Sequence, residues 1–146
     1  MPCAFVISKN NLDEFASSYE GALNGAYIVC EDEKANTILF ASGAEVGMVI
    51  EAKKKLNKDG FACIVVSVPS LEVFERQPEK YKKTILRQEI ENRFCIEASN
   101  DYKWIEVFGG KFFGIKKFGM SGKPKDVLKE MHFESKDIVK FIKNNV

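Results

Sequence analysis

Hydrophobic residues follow a pattern between residues 37 and 69 that predicts one complete strand–helix–strand unit. Residues 37–41 form a short apolar run of strand type. Residues 62–68 form a second one, rich in β-branched side chains, as expected of a strand covered on both faces. Between them, apolar residues recur at helical spacing, with lysines on the opposite side: Val46, Val49, Ile50 and Leu56. Two such strands joined by one helix lie parallel, with a right-handed crossover.

Two features predict where this helix begins and ends. Ser42 precedes it and Glu45 follows three positions later, which is the spacing of a capping box. Gly60 can adopt the left-handed conformation that commonly ends a helix. The pattern therefore predicts a helix that begins after Ser42 and ends before Gly60.

The sequence before residue 37 indicates less regular structure. Residues 26–30 form a short strand, and its distance from Thr37 permits a hairpin, so we expect an antiparallel edge strand there. Residues 11–25 are mixed and contain several helix-breaking positions. We interpret them as a linker with a helical turn near residues 12–15. Residues 3–8 are a further apolar run of strand type.

Elements of both kinds alternate after Pro69. Ser70 is a suitable N-cap for a short helix, whereas residues 75–86 are strongly polar and predict a solvated loop. Residues 94–98 and 111–117 predict two more strands. A loop at residues 118–122 separates the last strand from the C-terminal helices.

Two helices are predicted near the C-terminus. Pro124 suits the first position of one helix, and Ser135 is a suitable cap for the last helix. Strands and helices thus alternate along most of the chain. We therefore predict an α/β fold, a three-layer α/β/α sandwich around a mostly parallel sheet of about five strands with one antiparallel edge strand.

Composition and charge exclude several partners. The chain has 146 residues, of which 45% are hydrophobic and 29% charged, which is ordinary for a globular domain. Lysine and arginine number 22 and aspartate and glutamate 21, so the net charge is +1. Nothing in this balance favours nucleic acid or an acidic membrane surface as a partner. No apolar run approaches the roughly 20 residues that cross a bilayer.

The four cysteines have no metal-binding spacing. None forms a CxxC pair, and Cys63 and Cys95 lie in apolar strand-like runs, where cysteine behaves as a small hydrophobic residue. We interpret both as structural. Thiols used in this way are typical of a reducing compartment, so we expect a cytoplasmic protein.

Candidate chemistry is sparse. The single histidine, His132, has no carboxylate or cysteine at ligand spacing, and we interpret it as a surface residue rather than a catalytic one. Gly43 follows a strand and precedes a helix, where a phosphate can bind, although a simple tight turn explains it as well. Ser42 has no GxSxG context and is interpreted as a cap, not a nucleophile.

Five short segments occur in the order and spacing of the C-terminal domain of transketolase, and the resemblance runs from Pro2 to Val146. The first, ASGAEVGMVIEA from Ala41, resembles that family's strand and helix start. The second, VVSVPSLEVFERQ from Val65, resembles the next strand and loop. The remaining resemblances are Tyr81 with Ile85 and Leu86, the strand ending in Glu97 and Ala98, and the closing segment with Gly114, Ile115, Phe118, Gly119, Ser121 and Pro124.

This resemblance implies an activity that lies outside the chain. Transketolases transfer a two-carbon ketol unit between phosphosugars in the pentose phosphate pathway, using thiamine diphosphate and a divalent metal, Mg²⁺ or Ca²⁺. The cofactor is bound by an N-terminal and a middle domain. Residues 1–25 would be the tail of the pyrimidine-binding middle domain plus a linker, and residues 26–146 the C-terminal domain. We therefore expect no catalytic, cofactor-binding or metal-binding residue here, and upstream domains and a second subunit of a homodimer as partners.

The resemblance assigns one site residue, Lys9. The family carries Ser-Arg-Gln-Asn-Leu at the end of the middle domain, and its arginine holds the substrate phosphate. This chain has Ser-Lys-Asn-Asn-Leu from Ser8 to Leu12. Lysine can contact a phosphate as a point charge but lacks the two-pronged fit of arginine. The alternative interpretation of Lys9 is an exposed lysine that follows a strand.

Two other functions remain open at this stage. One is a stand-alone module that binds a nucleotide or another phosphorylated ligand at the carboxyl ends of its strands, through Gly43 and residues 118–122. The other is the small subunit of a split transketolase, completed by a second chain that carries the upstream domains.

Overall fold

The computed structural model describes residues 4, 7–8, 11–15 and 18–146. In this part of the chain five strands form one sheet: β1 (Tyr27–Glu31), β2 (Thr37–Ala41), β3 (Cys63–Ser67), β4 (Asn92–Ile96) and β5 (Lys111–Phe113). The described helices are α1 (Ser18–Leu23), α2 (Gly43–Lys58), α3 (Leu71–Glu75), α4 (Glu79–Leu86), α5 (Lys103–Phe108), α6 (Pro124–Glu130) and α7 (Ser135–Lys143).

The sheet has the strand order β1-β3-β2-β4-β5 and is parallel except for β1. This confirms the predicted mostly parallel sheet with one antiparallel edge strand. The hairpin that the short spacing permits does not form, because β1 pairs with β3 rather than with β2. Two hydrogen bonds join the connection after β1 to the start of β3. The Asp32 carboxylate accepts one from the Cys63 N–H, and the side-chain amide oxygen of Asn36 accepts one from the Ala62 N–H.

Both faces of the sheet are covered by helices, which confirms the three-layer sandwich. Helices α3, α4 and α5 pack on one face, where the buried side chains include Phe40, Phe74 and Trp104. Helices α2 and α7 pack on the other face, around Phe94 and Ile138. The strands β2 and β3 are buried at every position, which explains their uninterrupted apolar sequences.

The predicted capping box at the start of α2 was wrong. Ser42 does occupy the N-cap, but its side chain makes no capping hydrogen bond. Its hydroxyl donates instead to the Glu97 carboxylate on a neighbouring strand end. Gly60 adopts a φ of +87° just after α2, as predicted.

The predictions for residues 75–86 and for residues 11–15 were wrong. The polar residues 75–86 contain helix α4, because Ile85 reaches the core and the Tyr81 hydroxyl donates to the Ala26 carbonyl at 2.7 Å. Residues 11–15 form no helical turn, and the helix of this region is α1. Of the predicted strand at residues 3–8, residues 3, 5 and 6 lie outside the described residues, and residues 4, 7 and 8 belong to no strand.

The strand ends and the C-terminal helices differ in detail from the sequence prediction. Strand β4 begins and ends before the apolar run at 94–98 does, and strand β5 is shorter than the run at 111–117. Ser70 caps α3 by accepting from the Val73 N–H, and Pro124 opens α6, as predicted. The N-cap of α7 is Glu134 rather than Ser135, because Glu134 and Asp137 form a reciprocal capping box.

Candidate functional site

The two central strands are followed by helices that leave the sheet in opposite directions. α2 follows β2 and packs on one face, whereas α5 follows β4 and packs on the other. In open α/β sheets, ligands bind in the crevice that opens at such a switch point, outside the carboxyl ends of the strands. Ser42 and Glu97 stand at these two strand ends. The topology therefore places the candidate site at their edge of the sheet.

A hydrogen bond joins the two strand ends. The Ser42 Oγ donates to Glu97 Oε2 at 2.7 Å, and both residues are half-buried. The pKa of the Glu97 carboxyl is raised to about 7: burial is the largest cause, the hydrogen bond from Ser42 lowers the pKa, and the negative charges of Glu45 and Asp101 add to the rise. Glu97 can therefore bind or release a proton near neutral pH.

A second carboxyl group lies nearby on the first turn of α2. Burial raises the pKa of Glu45, while a hydrogen bond from its own backbone N–H lowers it. Among the described residues, neither Glu45 nor Glu97 forms an ion pair with a lysine or arginine. This edge of the sheet thus holds two partly buried carboxyl groups without a cationic partner, which favours the protonated form of both.

Replacing Glu97 with glutamine is expected to stabilise the protein at alkaline pH. The pKa of Glu97 is about 7 in the folded chain, against an ordinary value of 4.5. The native state therefore keeps this proton up to a higher pH than the unfolded state does. Stability is therefore lost as the pH rises from about 4.5 to about 7. Glu97→Gln should raise the free energy of unfolding by about 1–2 kcal/mol at pH 8, allowing for partial solvent screening, and change it little at pH 4.

Urea titrations of the two proteins at pH 4 and pH 8 measure this difference. Glu91→Gln is the matched control, because Glu91 is an exposed carboxylate directly before β4. Its effect on the free energy of unfolding should be the same at both pH values. Equal shifts for Glu97→Gln at both pH values would contradict a buried, proton-holding carboxyl group.

The structure separates the residues that sequence reasoning proposed for a phosphate site. Gly43 has a φ of +47° and lies at the start of α2, beside a cleft next to the candidate site. Residues 118–122 are not among the described residues that line this cleft, and Phe118 is 97% exposed. Lys9 lies outside the described residues, so its phosphate contact stays a prediction.

The remaining candidates have structural roles or lie at the surface. Cys63 and Cys95 are fully buried, and burial raises the pKa of each thiol to about 12, which confirms the structural interpretation. His132 is exposed and adopts a φ of +53°. Within the described ranges, no three histidine, cysteine, aspartate or glutamate side chains converge on a possible metal site. None of the described helices is long and apolar enough to span a membrane.

Sequence reasoning missed Glu97 and two buried hydroxyl residues, Ser67 and Tyr27. Glu97 gave one signal, a carboxylate directly after a buried strand, which the motif comparison used only as a resemblance. Ser67 and Tyr27 gave none, because each lies within an apolar run of strand type and the sequence does not show that a cleft opens beside it.

Comparison with known proteins assigns this chain to a family. The sequence model of the Transketolase-like TK C-terminal domain matches residues 25–134. Transketolase from Bacillus subtilis is 34% identical over 150 residues, a match that covers 97% of this chain and 22% of the relative. The chain therefore spans about a fifth of the length of such curated relatives.

Solved structures agree with this match. Transketolase from Pichia stipitis in complex with sedoheptulose 7-phosphate has a TM-score of 0.86 and 28% identity, covering 93% of this chain and 20% of that one. A split-gene transketolase described as an inactive β4 tetramer has a TM-score of 0.68 at 17% identity, covering 84% of this chain and 42% of that one, and shows the shared fold alone. The chain belongs to the transketolase family and corresponds to its C-terminal domain.

Proposed function

We propose that this chain serves as the C-terminal domain of an enzyme that transfers two-carbon ketol units between phosphosugars. The family match over residues 25–134 carries this proposal. The fold likeness to a transketolase crystallised with a sugar phosphate supports it. In the proposed enzyme, thiamine diphosphate and a divalent metal, Mg²⁺ or Ca²⁺, are bound by the upstream domains.

In this proposal the chain has a supporting rather than a catalytic role. Residues 1–25 complete the middle domain and form the linker, and residues 26–146 form the C-terminal domain, a boundary that the start of the family match at residue 25 supports. The domain helps to hold two subunits together as a homodimer. Lys9 contacts the substrate phosphate as a point charge, in place of the family's arginine.

The cysteines support a cytoplasmic location for the proposed enzyme. Among the described residues, Cys30, Cys63 and Cys95 are free thiols, and Cys63 and Cys95 are buried in the core. Free thiols are retained in reducing compartments, where structural disulfides are rare.

A domain replacement tests the proposal directly. The C-terminal domain of the Bacillus subtilis relative is replaced with residues 26–146 of this chain, and ketol transfer is measured with thiamine diphosphate and Mg²⁺. We expect the chimaera to be active and dimeric, and the 146-residue chain alone to be inactive at every concentration tested. A chimaera that folds with bound cofactor and lacks activity would contradict the supporting role. Turnover by the chain alone would contradict the absence of a catalytic site.

The same reagents distinguish a domain of one polypeptide from a subunit of a split enzyme. The relative's upstream domains are expressed as a separate polypeptide and mixed with this chain. Activity restored by mixing at micromolar concentrations supports a separate subunit. Activity found in the fused chimaera alone supports a covalently linked domain.

A further inference from the structure

The loop between β5 and α6 is exposed and carries only positive charge. Residues 116–123, which we call the basic loop, are exposed at every position. No aspartate or glutamate occurs at positions 107–125, whereas the basic loop contains three lysines: Lys116, Lys117 and Lys123. None of these lysines forms an ion pair with a residue that the structure describes. The loop therefore presents uncompensated positive charge to solvent.

Two large apolar side chains lie among these lysines. Phe118 is 97% exposed and Met120 is 48% exposed. Phe118 is the most exposed of the large hydrophobic residues that the structure describes. Aromatic side chains are common anchors of protein interfaces, where each is buried in a pocket of the partner. A partner of the basic loop would therefore offer an apolar pocket with a negatively charged rim.

A cleft with both properties lies on the chain itself, between α3, α4 and α5. Its volume is about 270 Å³, slightly below the range of clefts that hold drug-sized ligands and suited to one or two side chains. We call it the acidic cleft, because three glutamates and one lysine line it together with three apolar residues. The lining residues are Phe74, Glu75, Glu79, Lys82, Leu86, Glu106 and Val107.

The three glutamates of the acidic cleft are exposed and differ in their partners. Glu79 forms an ion pair with Lys82, and Glu75 forms one with Lys103 at 2.9 Å. Glu106 has no ion-pair partner within the described part of the chain. A lysine brought by a partner can therefore pair with Glu106 without displacing an existing ion pair.

The basic loop does not occupy the acidic cleft of its own chain. None of the described residues that line the cleft belongs to the loop, and Phe118 is almost fully exposed. A second copy of the chain can bring its loop to this cleft. A membrane or a nucleic acid offers negative charge to the lysines but no preformed apolar pocket to Phe118, whereas the acidic cleft offers both.

We propose that the acidic cleft of one copy of this chain receives the basic loop of a second copy, with Phe118 against the apolar part of the cleft and a loop lysine beside Glu106. The contact is heterologous, because the loop and the cleft are different surfaces. It is also small, so we expect weak and transient association. Ketol transfer does not require this contact, so its failure in the experiment below would leave the outcome of the domain replacement unchanged.

Sedimentation velocity of the 146-residue chain, measured up to millimolar concentration, tests the self-association. We expect the sedimentation coefficient to rise with protein concentration at low ionic strength and to fall again on addition of salt, which screens the opposite charges. In spectra of the ¹⁵N-labelled chain, the amide shifts of Phe118 and Glu106 should depend on protein concentration. A chain that stays monomeric at low salt and millimolar concentration would overturn the proposal.

Two charge reversals identify the contacting surfaces. Lys117→Glu in the loop and Glu106→Lys in the cleft should each weaken self-association about 3- to 10-fold, because each replaces an attraction with a repulsion. An equimolar mixture of the two variants should associate more tightly than either variant alone, since the unaltered loop of one meets the unaltered cleft of the other. Lys54→Glu reverses the charge of an exposed lysine on α2, outside both surfaces, and is the matched control.

Three outcomes would refute the pairing of these surfaces. The first is equal association of the parent and both reversed variants, each shown by its amide spectrum to be folded. The second is a mixture that associates no better than its components. The third is a monomeric chain whose Phe118 amide shifts on addition of single-stranded RNA or of phosphatidylserine vesicles, which would give the loop a different acidic partner.

Discussion

Phe40→Ala is expected to lower the free energy of unfolding by about 3–5 kcal/mol, the range measured for large-to-small changes of buried aromatic residues. Phe40 is 0% exposed and lies on β2, at the middle of the sheet. Its ring stacks on Phe108 of α5 at a centroid distance of 4.3 Å. The Arg93 guanidinium lies 5.5 Å from the same ring centre. The substitution therefore removes buried area, an aromatic pair and a cation–π contact together.

Chemical denaturation followed by circular dichroism measures this loss. Phe118→Ala is the matched control, because Phe118 is 97% exposed and its removal should change stability by no more than about 0.5 kcal/mol. If Phe40→Ala cost no more than Phe118→Ala, the stacked core between β2 and α5 would not exist in solution as described.

The central unit could be predicted from sequence because its signals are local and agree. The strands β2 and β3 are buried at every position, so each is a continuous apolar run with clear ends. The helix between them carries its apolar residues on one face, and Gly60 ends it with a positive φ. Local pattern and tertiary burial here specify the same structure.

The elements that were wrong or missing depend on distant contacts. Helix α4 is polar along most of its length, and what holds it is the buried side chain of Ile85 and the bond from Tyr81 to the Ala26 carbonyl. The pairing of β1 with β3 is likewise set by tertiary contacts, because the short spacing between β1 and β2 is also compatible with a hairpin of those two strands. A reading of local pattern has no access to either interaction.

The candidate site shows the same limit. Sequence reasoning considered a phosphate site at Gly43, because a strand end precedes a helix there, and interpreted Ser42 as a helix cap. The raised pKa of Glu97 arises from burial and from Glu45 and Asp101, which the chain brings together only on folding. The family resemblance implies catalytic domains outside this chain and assigns no role to this edge.

Gly110→Ala should destabilise the protein by about 2–4 kcal/mol, through two separate causes. Gly110 has a φ of +83°, a conformation that L-residues adopt at a cost. A Cβ atom at this position would also lie 2.2 Å from the backbone carbonyl oxygen of Arg93, which cannot move without disturbing β4. Because Gly110 directly precedes β5, the strain should also loosen the pairing of Lys111 with Phe94.

Gly60→Ala separates the two causes, since Gly60 has a similar φ of +87° but open space around its Cβ position. Its cost should be about 1–2 kcal/mol, from backbone conformation alone. The excess loss in Gly110→Ala, measured by denaturation, then reports the steric clash at Arg93. Hydrogen exchange of the β5 amides should rise in Gly110→Ala and stay unchanged in Gly60→Ala. Equal stability losses in the two variants would mean that the start of β5 can shift away from β4 at little cost, against the close contact described here.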